Sequence, residues 1–102
     1  EFKDLKLDKD WFLKLVNSVF KNKSKIDNVL SNFLNEDWPI ERMDNTLINI
    51  LRCAYIEFRD FSNIPSKVVI NEYTNIAAGF FNRTEVNFVN GVLDKVSISL
   101  KN

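Results

Sequence analysis

The chain has 102 residues with 14 Lys+Arg balanced by 14 Asp+Glu and no His, so net charge alone carries no nucleic-acid signal. Its length leaves room for one domain around one core, and 45% hydrophobic residues with only two Gly and two Pro describe a folded, strongly helical chain rather than a disordered one. The absence of His removes every triad or metal site built on imidazole, and a single Cys cannot form a thiolate cluster or an internal disulfide. No segment approaches the roughly 20 consecutive apolar residues that span a bilayer. The chain opens on Glu1-Phe2 rather than Met, with no signal-peptide pattern, which reads as a fragment or a processed form of a longer protein. Residues 1–25 carry seven Lys against four acids, a mildly basic end that suits a solvated surface.

Apolar periodicity divides the chain into helices. Phe12, Leu15, Val16, Val19 and Phe20 recur at i, i+3, i+4, i+7 and i+8, with Asp10 as the expected cap. Ser24 is the expected cap of a second helix, whose face is Ile26, Val29, Leu30, Phe33 and Leu34. Asp37-Trp38-Pro39 ends it, and Pro39 suits the first turn of a short helical element. A long helix follows from Asp44 to about Phe61, with Leu47, Ile50, Leu51, Ala54, Tyr55 and Phe58 inward.

After the break at Ser62-Asn63-Ile64-Pro65, a helix is predicted from about Ser66 to Phe81, facing inward with Val69, Ile70, Tyr73, Ile76, Ala77 and Phe80. The last runs from Thr84 to about Ser99 on Val89, Val92, Leu93 and Val96. Only Val96-Ser97-Ile98-Ser99-Leu100 alternates weakly, with the period of a strand. The predicted architecture is all-α, a single compact bundle of about five helices over residues 1–102 with a short turn near Pro39. Cys53, within an apolar helical pattern, reads as a small buried hydrophobe of a reducing compartment, which makes the expected location cytoplasmic.

Polar residues on or beside apolar faces are the candidates for chemistry. Arg52, Glu57 and Glu72 fall there, and an unpaired buried charge is costly. Arg52 is therefore expected to tie neighbouring helices together through one or both of these acids. Catalysis finds little support. Gly79 and Gly91 stand outside any phosphate-cradling loop, and no cofactor or metal is implied. The expectation is a protein that is not an enzyme.

Within the last helix, Phe88-Val89-Asn90-Gly91-Val92-Leu93-Asp94-Lys95 interrupts its apolar run with two residues of low helix propensity. Two readings stay open. Gly91 allows the close approach of another helix, or it admits a ligand, with Asn90 offering two donors and an acceptor.

This octapeptide resembles the C-terminal signature of the bacterial NusB family. Ile64-Pro65-Ser66-Lys67-Val68-Val69-Ile70-Asn71-Glu72 and Ile50-Leu51-Arg52-Cys53-Ala54-Tyr55-Ile56-Glu57-Phe58 are similar to two further signatures of that family, in the same order. The likeness is clear from about Leu47 to Val96 and extends back toward Asp8. The family's Arg-rich arm and first helix have no counterpart, so apolar side chains that they would cover are expected to be exposed and to favour a homodimer.

The resemblance implies an all-helical transcription antitermination factor that pairs with the ribosomal protein NusE, binds the single-stranded boxA element of RNA, and serves the antitermination complex of RNA polymerase. By motif, Phe88, Asn90, Gly91 and Lys95 become the RNA-binding residues, with Phe88 stacking on a base and Asn90 bonding a base edge or the sugar. Leu47, Ile48 and Ser66 fall where the family meets NusE, although the first two positions equally suit the core, and Ser66 stands where family members often carry Tyr. Tyr73, in place of a small residue, is expected to fill packing space. Two alternatives remain: the NusB-like domain of a ribosomal-RNA cytosine methyltransferase, or a helical interaction module with no RNA role.

Overall fold

A computed structural model describes residues 9–34 and 37–101, and side chains over 13–34 and 37–100. Five α-helices make up the described residues: α1 (Lys9–Lys21), α2 (Lys23–Ser31), α3 (Asn45–Asp60), α4 (Ser66–Ala78) and α5 (Arg83–Lys101), with a 3-10 turn at Ile40–Arg42. No strand occurs among them; the weakly alternating Val96–Leu100 segment is helical. Helix α3 is the hub, packing against α1, α2, α4 and α5, while α4 and α5 pack most extensively on each other.

Local chemistry sets the helix ends. Asp44 caps α3, its Oδ1 accepting from the backbone N–H of Thr46 at 2.8 Å and of Leu47 at 3.3 Å. Pro65 precedes α4 and its carbonyl accepts from Val68 and Val69, which suits a residue with no N–H of its own. At the start of α5, the N–H of Asn82 donates to Glu85 Oε1 at 3.1 Å, one half of a capping box.

Two expected caps are corrected. Helix α1 already includes Lys9, so Asp10 lies inside it rather than at its cap. Ser24 likewise lies inside α2, whose N-cap is Asn22. Asn22 turns its side chain back to the Ser18 carbonyl, donating at 2.8 Å, and so closes α1 rather than opening α2. Pro39, in extended conformation, immediately precedes the 3-10 turn.

The core gathers Leu15, Ile26, Leu30, Leu47, Ile48, Leu51, Ala54, Ile56, Val69, Tyr73, Ala77, Val89, Val92, Leu93 and Val96, all buried. Two expected faces are wider than the surface that covers them. On α1, Leu15 is buried, but Val16 is 42% and Phe20 83% exposed, with Leu13 beside them at 56%. On α4, Ile76 is also exposed; the helix ends at Ala78, short of the predicted Phe81, and Phe80 lies exposed in the turn that follows. Phe12 lies outside the described side chains. Fully burying a Leu- or Phe-sized side chain is worth about 1.5–3 kcal/mol, so each of these exposed groups leaves part of that unrealised, Phe20 the most.

The expected partners of Arg52 are corrected. Arg52 joins two helices, through Asp27 of α2 rather than through Glu57 or Glu72. Nε meets Asp27 Oδ1 at 2.8 Å and Nη2 meets Oδ2 at 2.7 Å, while Nη1 donates to Asn49 Oδ1 at 2.9 Å. Helix geometry gives the reason: five residues along α3 turn Glu57 about 140° away from Arg52. Glu57, 1% exposed, accepts instead from the Tyr73 hydroxyl of α4. Tyr73 thus does more than fill space.

Candidate functional site

Helix α5 carries the densest set of expected site residues. Its 3.6-residue period buries Val89, Val92, Leu93 and Val96 on one side and turns the others outward. Phe88, Gly91 and Lys95 fall within an arc of about 60° on one shoulder. Gly91 and Lys95 are exposed and Phe88 is half-buried. A Cβ built on Gly91 would find nothing within 4 Å, which overturns the close-packing reading of this glycine. In mid-helix glycine costs up to about 1 kcal/mol relative to Ala, and no neighbouring helix here offsets it.

Phe88 does not stand alone. Its ring centroid lies 4.1 Å from that of Trp38, with the two planes tilted by 39°. Trp38 comes from the segment before the 3-10 turn, where Ile40 also packs on the core's edge. One ring face of Phe88 is thus occupied by protein. Trp38 was absent from the sequence-derived site, because only the folded chain brings residues 38 and 88 together.

On the other shoulder, exposed Asn90 opens onto a groove of about 420 Å³ between α4 and α5. Ser66, Lys67, Ile70 and Asn71 form one wall; Asn90, Asp94, Ser97 and Ile98 form the other. The Ser97 hydroxyl is satisfied within its own helix, donating to the Asp94 carbonyl at 2.8 Å. The groove therefore joins Ser66, half-buried at the first position of α4, to Asn90: two residues that sequence alone assigned to different surfaces.

Leu47 and Ile48, expected on the same partner surface as Ser66, are 1% and 3% exposed. This corrects their assignment: both belong to the core, because the first turns of α3 are wrapped by its neighbours.

The buried acid forms a separate feature. Glu57 Oε2 accepts from Tyr73, and Oε1 has no hydrogen-bond partner. Burial raises the carboxyl above its usual range, the Tyr73 hydrogen bond opposes that rise, and the Glu72 charge adds to it. Burial and the nearby Glu57 also push up the Cys53 thiol, with Arg52 opposing, so this Cys is a poor thiolate nucleophile. Tyr73 is likewise strongly raised, first by burial and then by Glu57. Each shift favours the neutral form. Glu57, Tyr73 and Glu72 lie at the α3–α4 contact rather than around a cleft. No group of His, Cys, Asp and Glu among the described residues is arranged to hold a metal, and no described helix is long and apolar enough to cross a membrane.

Comparison with known proteins gives one consistent answer. The chain is 39% identical over 93 residues to transcription antitermination protein NusB of Agrobacterium fabrum, covering 91% of this chain and 56% of that protein. It is 36% identical to the protein of the same name from Rhizobium leguminosarum bv. trifolii, with 91% and 58% covered, and 35% identical to that of Brucella ovis, with 95% and 57% covered. The chain thus spans less than three-fifths of the length of these relatives. The solved structure of T. maritima NusB superimposes with a TM-score of 0.77 at 32% identity, over 82% of this chain and 58% of that one. The NusB family profile matches residues 2–97, reaching further back than the three signatures do. With that match, the shared helical fold and the signature laid out along α5, this chain belongs to the NusB family.

Proposed function

We propose that the protein acts in transcription antitermination by binding a boxA-type single-stranded RNA element together with NusE, as part of the complex that RNA polymerase carries through terminators. The observation that carries this reading is the exposed signature on α5. Asn90, Gly91 and Lys95 face water, and Gly91 has open space where a packing glycine would have a neighbour. A helix that keeps glycine there without a packing reason suits a surface approached closely by a ligand. Exposed Asn90 has donors and an acceptor for a base edge or sugar, and Lys95 brings a cation for phosphate. The groove that runs from Asn90 to Ser66 offers NusE a place next to the RNA, so that one partner could strengthen the other. A factor of this kind works in the bacterial cytoplasm.

The test is a fluorescence anisotropy titration of a labelled boxA RNA and a scrambled control, with and without NusE, at two salt concentrations. Preference for boxA that grows with NusE is the expected result. Equal, NusE-independent binding of both RNAs would reject it. With few cations on α5, the expected dependence of affinity on salt is shallow, equivalent to one or two phosphate contacts.

A further inference from the structure

Base stacking needs an accessible aromatic face, and Phe88 has less of one than its motif suggests. Trp38 covers one side of its ring at a centroid distance of 4.1 Å, and Phe88 is itself half-buried against the core. Trp38 is also half-buried, so the residue keeps some contact with water next to Phe88. The two rings form one aromatic surface that leaves α5 and continues onto the segment leading into the 3-10 turn. Their 39° tilt matters. Bases seated on the two rings would be inclined to each other, an arrangement open to a splayed single strand and closed to a stacked duplex. Arg42, exposed at the end of that same turn, puts a cation on the segment for a backbone that follows it.

We propose that Trp38 is a second base-stacking residue, and that the RNA path runs from Lys95 and Gly91 across Phe88 onto Trp38. This rests on the RNA-binding reading above and extends its site to a different part of the chain. An aromatic–base stack is sequence-tolerant, so Trp38 would add affinity more than discrimination.

The chain has two tryptophans, which permits a direct reading. Protein labelled with 5-fluorotryptophan gives two ¹⁹F resonances, assigned with the W11F variant, and is titrated with the boxA oligoribonucleotide while RNA anisotropy reports binding independently. The Trp38 resonance is expected to shift as the RNA saturates. W38A should weaken binding by about 5- to 140-fold, the range expected for loss of one stacked base. W38F should keep most of the affinity, and W38A should leave the salt slope unchanged because no charge is removed. Bound RNA with an unmoved Trp38 resonance overturns this proposal alone and makes Trp38 a prop for Phe88. No RNA binding by the unsubstituted chain, with or without NusE, overturns both this proposal and the reading on which it rests.

Discussion

Asp27 of α2 holds Arg52 of α3 with both carboxylate oxygens, at 2.8 and 2.7 Å, across 25 residues of sequence. The two side chains are 23% and 10% exposed, between the surface limit where a pair contributes little and the buried limit where a stranded partner is costly. Their planar, two-point geometry is the stronger kind of charged hydrogen bond. Replacing either residue by Ala is therefore expected to cost about 2–3 kcal/mol, intermediate between those limits. In urea denaturation of D27A, R52A and the double variant, the double should cost little more than the worse single. Strict additivity of the two losses would show that the pair is not coupled.

The Glu57–Tyr73 contact makes a pH prediction whose sign is fixed. Burial raises the Glu57 carboxyl above its ordinary value of 4.5 in the folded state. Between that value and the raised one, the folded chain holds a proton that the unfolded chain has released. The stabilising contribution is fully present below the ordinary value and is lost as pH rises through the folded one. Denaturant midpoints should therefore fall over that window and E57Q should flatten this part of the profile. Superimposable profiles for the two proteins would rule out Glu57 as the source. Y73F should be destabilising at every pH by about 1–3 kcal/mol, because it leaves both buried carboxyl oxygens without a partner.

These two contacts mark where the sequence stopped being legible. Five helices were readable because Asp44 and Pro65 punctuate the chain and Val89, Val92, Leu93 and Val96 keep a strict period. Periodicity identifies an apolar face but not whether anything covers it, which is why Val16, Phe20, Ile76 and Phe80 were expected inside and lie outside. It also gives no partner for a charge. Asp27 and Arg52 meet only when α2 packs on α3, and Glu57 takes a tyrosine hydroxyl that reads from sequence as a packing residue. The site followed the same division. The signature singled out Asn90, Gly91 and Lys95 but left open whether Gly91 meets a helix or a ligand, whereas Trp38 needed the fold, and Leu47 and Ile48 needed a measure of burial to be returned to the core.

Gly91 separates stability from function. The space around its absent Cβ is empty, so G91A should keep the fold and gain the helix propensity of alanine, about 0.8–1 kcal/mol. For a domain of this size that corresponds to a rise in Tm of roughly 4–8 °C per kcal/mol. If RNA approaches the helix backbone at this residue, the same methyl group should weaken boxA binding. A thermal melt and an anisotropy titration on one preparation decide it. Higher Tm with reduced affinity is expected. Higher Tm with unchanged affinity would take Gly91 out of the RNA-binding set.

Leu13, Val16 and Phe20 lie at i, i+3 and i+7 on α1, 56%, 42% and 83% exposed, and so form a continuous apolar stripe on one helix face. Lone apolar residues are ordinary on a protein surface, but a contiguous stripe favours burial against another surface. The expected consequence is self-association through α1, with a weight-average mass in sedimentation equilibrium that rises with concentration. Phe20 is the most exposed of the three, so F20K should leave Tm nearly unchanged while returning the chain to a monomer. The charge acts twice, removing apolar area and placing two like charges across any symmetric contact. A mass that stays monomeric at every concentration for the unsubstituted chain, or an F20K chain that associates equally well, would exclude this face as the contact.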